Sequence, residues 1–299
     1  MKGQIGIYLH KLLLLENCEV FGTTRGETQA PYFHCDLTDY KNVSDIIDLI
    51  NPDEIYNLAG ETNSNNSILH PLETFDINGK AVMIMCEKIK NTKKEIKLFQ
   101  ALSSELFKGS KDILITPENT LFYPKTPYSI AKLSAYWTIR YYRERYNLAF
   151  YNGFIFNTES PFRKEGFLTK KISKTLLSNN VLQVENLESR KNWLHAEDVA
   201  NAIKISMTGI PGEYVFSTGV TNTIKELIEV SYKVIGKTII WENNKGIDSE
   251  SKQTLVISNE SYRIFDQNEN VYGIDPKMQS LGWKPKYNLF DIMNDIITN

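Results

Sequence analysis

Leu98-Phe99-Gln100-Ala101-Leu102-Ser103-Ser104-Glu105 begins as an apolar strand and ends on two hydroxyls and a carboxylate. Downstream, Tyr128-Ser129-Ile130-Ala131-Lys132 opens a helical stretch that runs to Tyr146, and the strand Phe150–Phe156 follows it directly. Strand, long helix, strand in this order predicts a parallel pair joined by a crossover. The alternation continues upstream. An amphipathic helix carrying Leu9, Leu12, Leu13 and Leu15 leads to a strand at Glu19–Thr23, and Tyr32–Cys35 offers the next. Asp36–Asp39 reads as a turn with an N-cap for the helix Val43–Ile50, followed by the strand Glu54–Ala59 and the helix Ala81–Ile89. The predicted fold is α/β, a doubly wound parallel sheet with helices on both faces. Such sheets bind ligands beyond the carboxyl ends of their strands, which is where Ser103-Ser104-Glu105 falls. After residue 157 the pattern is less regular and points to a smaller lobe interleaved with the sheet.

Composition narrows the classes. Hydrophobic residues at 41% and charged residues at 23% are globular values, which excludes disordered and fibrous chains. A net charge of −2 gives no reason to expect nucleic acid or an anionic membrane as partner. Cys18, Cys35 and Cys86 have neither metal-ligand nor framework spacing, so no metal site is expected. Leu12–Leu15 is too short an apolar run to span a bilayer, and a soluble cytoplasmic protein is expected.

Tyr128 and Lys132 stand at i and i+4 and so face the same way on a helix. An ammonium beside a phenol favours the phenolate, which would let Tyr128 act as a general base nearer neutral pH than a free phenol. Tyr-x-x-x-Lys alone is a weak signal. With Ser103 at the preceding strand end it becomes the serine–tyrosine–lysine arrangement of short-chain dehydrogenases. Glu105 is the informative addition. Plain alcohol oxidation moves a hydride and a proton at one carbon. A sugar 4,6-dehydratase must also remove the C5 proton and protonate the departing C6 hydroxyl, and one carboxylate reaching both positions can do both.

Beyond these four residues the chain resembles the GDP-mannose 4,6-dehydratase family along most of its length. The similarity runs through Ser103-Ser104-Glu105-Leu106-Phe107, Thr116-Pro117-Glu118-Asn119-Thr120, Phe122–Tyr128 and Ala135-Tyr136-Trp137. It continues through Asn152–Pro161, Thr169-Lys170-Lys171-Ile172, Asn192–Asp198 and Leu281-Gly282-Trp283-Lys284-Pro285-Lys286. The resemblance implies a Rossmann-type domain over 1–157 plus about 189–220, and a nucleotide-sugar lobe over 158–188 plus about 221–299. It implies NADP-dependent conversion of GDP-mannose to its 4-keto-6-deoxy product. Tyr128, helped by Lys132 and Ser103, takes the C4 hydroxyl proton as hydride leaves, Glu105 eliminates water across C5 and C6, and hydride returns to C6.

For the cofactor the resemblance implies Gly3 and Gly6 at the pyrophosphate, Asp36-Leu37 at the adenine, and Leu58-Ala59-Gly60 along the nicotinamide side. Arg25 stands where an arginine meets a 2′-phosphate, favouring NADP, and Arg163 matches a cofactor-contacting arginine. For the sugar nucleotide it implies Asn157, Lys170, Arg190, Arg263 and Asp266. The segment that in relatives can reach a neighbouring subunit is cut here to Glu27–Tyr32, so a homodimer is expected instead of the tetramer common among them. The chain departs from the family pattern elsewhere too, with Ser103 for a threonine and Gly26 for a second arginine. The first strand and first glycine of the dinucleotide fingerprint are absent, so an N-terminally truncated loop with a weakened cradle is expected. Glu61 replaces an amide and Thr158 a histidine. His195, with no visible partner, is read as structural. Two other functions compete: a keto-sugar reductase or epimerase, and a non-catalytic sugar-nucleotide-binding relative.

Overall fold

A computed structural model of the chain describes residues 2–26, 28–29, 31–108, 114–116, 120–259 and 272–299. Its centre is a four-stranded parallel sheet in the order Glu213–Phe216, Phe150–Ile155, Lys97–Ser103, Glu54–Asn57. Phe150–Ile155 is buried at every residue, as expected for a strand covered on both faces. Gly153 lies there because no larger residue fits: a Cβ would collide with the rings of Phe99 and Phe216, which stack with centroids 6.0 Å apart.

Two helical layers cover this sheet. Gln4–Leu15 packs against Ala196–Ser206, and Tyr40–Ile50, Ala81–Lys90 and Pro127–Tyr146 pack in sequence on one another. The long helix Pro127–Tyr146 is locally specified. Thr126 and Ser129 form a capping box, Pro127 fills the first turn, and Asn147 takes the left-handed conformation at the end with φ 52°. Its buried stripe reads Tyr128, Ala131, Lys132, Ala135, Ile139 and Tyr142, one helical face. The start of that stripe puts the tyrosine and lysine at the ends of the central strands.

Gly22–Thr24 and Tyr32–His34 form their own two-stranded parallel ladder, separate from the main sheet. In a doubly wound sheet, a strand preceding the helix Gln4–Leu15 would sit between this pair and Glu54–Asn57. Among the described residues no strand joins the two ladders. Val20, Ile55, Tyr56 and Leu58 accordingly pack against the core while staying only partly buried.

The second lobe has its own core of Ile172, Leu227, Ile228, Val256, Ile292 and Met293. Its sheet runs Ile239–Glu242, Lys245–Asp248, Thr254–Ser258, Leu182–Val184, antiparallel except for the last pair. The C-terminal stretch also reaches back: Met278 and Trp283 pack in the first core. Asp198 fixes that return, accepting the Lys286 and Tyr287 backbone N–H groups at 2.9 and 3.1 Å.

His195 is structural and has a partner that sequence does not reveal. Its Nδ1 accepts the Glu197 N–H at 3.1 Å, which leaves Nε2 to donate to Asp295 at 2.9 Å. The ring also stacks on Tyr287 with centroids 3.9 Å apart, so it ties the C-terminal helix Leu289–Thr298 to the start of Ala196–Ser206. Among the described residues no helix is long and apolar enough to cross a membrane.

Candidate active site

The four residues singled out for chemistry converge. Ser103 ends the strand Lys97–Ser103 and caps a 3₁₀ turn, Ser104–Phe107, with its Oγ accepting the Glu105 N–H at 3.2 Å. That turn folds Glu105 back over the strand end. The Ser103 hydroxyl favours the ionised form of the Tyr128 phenol, and the charge of Glu105 reaches the same phenol and opposes it. One carboxylate oxygen of Glu105, Oε2, is buried with no hydrogen-bond partner, while Oε1 stands 3.7 Å from Lys108 Nζ. A buried acceptor left unsatisfied is costly, and such sites concentrate where a ligand completes them.

Lys132 is buried and donates from Nζ to the Ala101 carbonyl at 2.8 Å. Burial lowers its ammonium to about 8. The phenol behaves differently from the sequence expectation. Burial, the largest influence, pushes Tyr128 up to about 12, the Ser103 hydroxyl and the Arg163 charge pull it down, and Glu105 and Glu61 push it up again.

On the cofactor side, Gly60 has no room for a side chain: a Cβ there would collide with Asn78 Oδ1 and stand 3.5 Å from Lys132 Nζ. Asn78 donates to the Glu61 carbonyl at 3.0 Å, and its Oδ1 is buried without a partner. Sequence reading missed Asn78. It lies in a π-helical turn, Asp76–Lys80, just before the predicted helix, and an asparagine beside a glycine inside a helical run was the available signal. Glu61, where the family has an amide, accepts from Thr62 N, Asn63 N and Asn66 Nδ2 at 2.8, 2.8 and 2.6 Å. Burial opposes its charge, but these bonds and Lys164 hold it below the usual carboxylate range.

Gly3 is the N-cap of the first helix, with no side chain capping the first turn, and Gly6 is buried within it. Gln4 between them donates to the Thr158 carbonyl and accepts from the Ser160 hydroxyl, both at 2.8 Å, docking the glycine turn onto the lobe. Arg25 is exposed beyond Gly22–Thr24, and its charge reaches Asp36. Asp36 is held ionised, chiefly by the Thr38 backbone N–H at 2.9 Å. Leu37, half-buried, packs on the core, and Leu58 and Ala59 continue the loop to Gly60. An uncapped helix start, a glycine floor and an orphaned amide oxygen suit a dinucleotide. No group of three metal-ligating side chains is present among the described residues.

The sugar-nucleotide positions are more dispersed. Asn157 opens the strand Asn157–Glu159 and donates to the Asn192 carbonyl at 3.1 Å. Lys170 is half-buried near the start of the helix Leu168–Ser178. Arg190 spends Nε and Nη2 on Thr221, at 3.2 and 3.1 Å, so part of its fork is already engaged. Arg263 and Asp266 lie outside the described residues, as does Pro117-Glu118-Asn119.

Comparison with known proteins agrees with this geometry. The model of the family described as GDP-mannose 4,6 dehydratase matches residues 1–296. A GDP-mannose 4,6 dehydratase of Cricetulus griseus is 31% identical over 99% of this chain and 88% of its own length. Among solved structures, a UDP-glucose 4-epimerase of Thermotoga maritima superposes with a TM-score of 0.85 at 17% identity, covering 99% of this chain and 95% of that one. RMD from Pseudomonas aeruginosa, solved with NADPH, gives 0.79 at 17% identity, covering 99% and 95%. These two likenesses establish the Rossmann-type fold.

Proposed function

The chain belongs to the GDP-mannose 4,6-dehydratase family, and we propose that it removes water from GDP-mannose with NADP as cofactor, using Ser103, Glu105, Tyr128 and Lys132. A bound nicotinamide supplies the hydride acceptor and later the donor. Tyr128 takes the O4 proton, with Ser103 holding the phenol and Lys132 fixed by Ala101 beneath it. Glu105 takes the C5 proton and protonates the C6 hydroxyl, which leaves as water. The observation that carries this reading is the buried, unpartnered Glu105 Oε2 beside the Tyr128–Ser103 pair. A reductase or epimerase performs no elimination at C6 for it to serve.

Arg25 beside Asp36 supports NADP over NAD, because an arginine there offers a fork to a 2′-phosphate. The measurement is incubation with GDP-mannose and NADP. The expected product is a 4-keto-6-deoxy sugar nucleotide with alkali-sensitive absorbance; absence of product while dinucleotide is demonstrably bound overturns the reading. One observation favours the non-catalytic alternative: among the described residues no strand joins the main sheet to the Gly22–Thr24 ladder. Tight NADPH binding, read as a thermal shift, disposes of it.

We also propose a homodimer. Ile130, Trp137 and Tyr141 form an exposed stripe on the long helix, and Leu72, Phe75 and Met83 are exposed on the helices packed beside it. Exposed apolar side chains on neighbouring helices suit a two-fold interface. Sedimentation should give twice the chain mass, and Trp137→Asp should give the monomer.

A further inference from the structure

Glu159 has no role in the reaction derived above, yet it is a buried carboxylate at the junction of three parts of the site. It ends the strand Asn157–Glu159, is 5% exposed, and pairs in register with His195. Its Oε2 accepts the Thr169 hydroxyl at 2.5 Å, at the start of the helix that carries Lys170. The same oxygen stands 3.5 Å from Arg163 Nε, within ion-pair range. That Nε is buried and has no hydrogen-bond partner. A turn closed by Arg163 N–H to the Ser160 carbonyl, 3.0 Å, brings the arginine back beside Glu159. The guanidinium carbon then stands over Phe167, 3.5 Å from the ring centroid. From there its charge reaches Tyr128.

A guanidinium has several donors and a choice of rotamers, so something must decide which edge it turns to the site. Phe167 holds one face of the group. The Glu159 carboxyl on the Nε side, whose ionised form burial opposes and the Arg163 charge and Thr169 hydroxyl favour, sets the rotation and leaves the terminal nitrogens to face outward. We infer that Glu159 is a positioning residue: it orients Arg163 toward Tyr128 and the bound dinucleotide, and through Thr169 holds the Lys170 helix in register with it. The inference rests on the dehydratase reading for its kinetic arm, but not for its binding arm.

The test is a double-mutant cycle on the full-length protein with Glu159→Gln and Arg163→Gln, read by NADPH fluorescence titration and by steady-state kinetics. Glutamine keeps the volume and an acceptor for Thr169 but removes the charge. Glu159→Gln should weaken NADPH about tenfold, the scale of one charge-assisted contact. It should lower kcat by a similar factor while KM for GDP-mannose moves little. In the Arg163→Gln background, Glu159→Gln should add nothing further, because its effect passes through the arginine. Additive losses, or an unchanged NADPH affinity with only a lower melting temperature, overturn the proposal. If Glu159→Gln does not fold, Glu159→Asp, which withdraws the charge by one methylene, is read in the same way. A wild-type chain that binds NADPH without turning over GDP-mannose sinks the dehydratase reading and leaves the binding arm to decide on Glu159. A chain that binds neither NADP nor NAD overturns both.

Discussion

Glu105→Gln should cut turnover of GDP-mannose by about 100-fold or more, the scale for removing a general acid–base group. The amide keeps the shape of the side chain, so stability and NADPH affinity should hardly change. The loss should also be specific to elimination. Oxidation at C4 needs no proton transfer at C5 or C6, so the variant should still reduce NADP when mixed with GDP-mannose in a single turnover. Stopped-flow absorbance at the reduced-nicotinamide band, followed by product analysis, reads both steps. If steady-state turnover in Glu105→Gln stays within a few-fold of wild type, the carboxylate is not the dehydrating group. The structural ground is the buried, unsatisfied Oε2. An acceptor in that state gains a partner only when something else enters the site.

Tyr128→Phe should lose the first step as well, with kcat falling about 10²–10⁴-fold and no reduced nicotinamide appearing in the same single-turnover experiment. The ring is nearly fully buried and packed at the head of the helix stripe, so phenylalanine fills its place. The phenol sits at about 12 and the neighbouring ammonium at about 8, both displaced by burial. At neutral pH the pair therefore rests as phenol and ammonium. For Lys132 the sign of the stability effect follows from linkage. Its folded-state value lies below the unfolded reference of 10.5, so the unfolded chain binds more protons between about 8 and 10.5. In that window stability contributed by this group rises with pH, and below it the buried ammonium is a standing cost. The site is held at the expense of stability, as expected for a group retained for chemistry.

The sheet and its order of strands and helices were legible in the sequence because periodicity and caps are local. Phe150–Ile155 reads as a mostly apolar strand interrupted by Asn152 and Gly153, and Thr126-Pro127 supplies the cap and first turn of the long helix. The placement of Ser103 and Glu105 at a strand end and of Tyr128 and Lys132 at a helix start was also legible. What sequence could not supply were facts that arise only when distant segments meet. The Tyr128 phenol is governed by desolvation, which a four-residue spacing does not report. The Asn78 Oδ1 has room only because the residue facing it, on another loop, is Gly60. His195 finds Asp295 a hundred residues away, and Gln4 finds Thr158 and Ser160 at the other side of the fold. Arg190 could be picked as a cation, but not seen to be engaged by Thr221.

The separation of the two parallel ladders has a dynamic consequence. Among the described residues, Gly22–Thr24 and Tyr32–His34 are hydrogen-bonded to each other and not to Glu54–Asn57. Cooperative units in native proteins follow contiguous hydrogen-bonded structure, and those with few buried contacts open first. This pair is therefore expected to open and reclose more readily than the central sheet, an excursion that hydrogen exchange reads and a global unfolding curve does not. Its residues, with Arg25 and Asp36 at their ends, would then be the molecule's fastest-exchanging structured amides. A ligand bridging both ladders would suppress that excursion, acting as a splint and making part of its affinity the work of closing them.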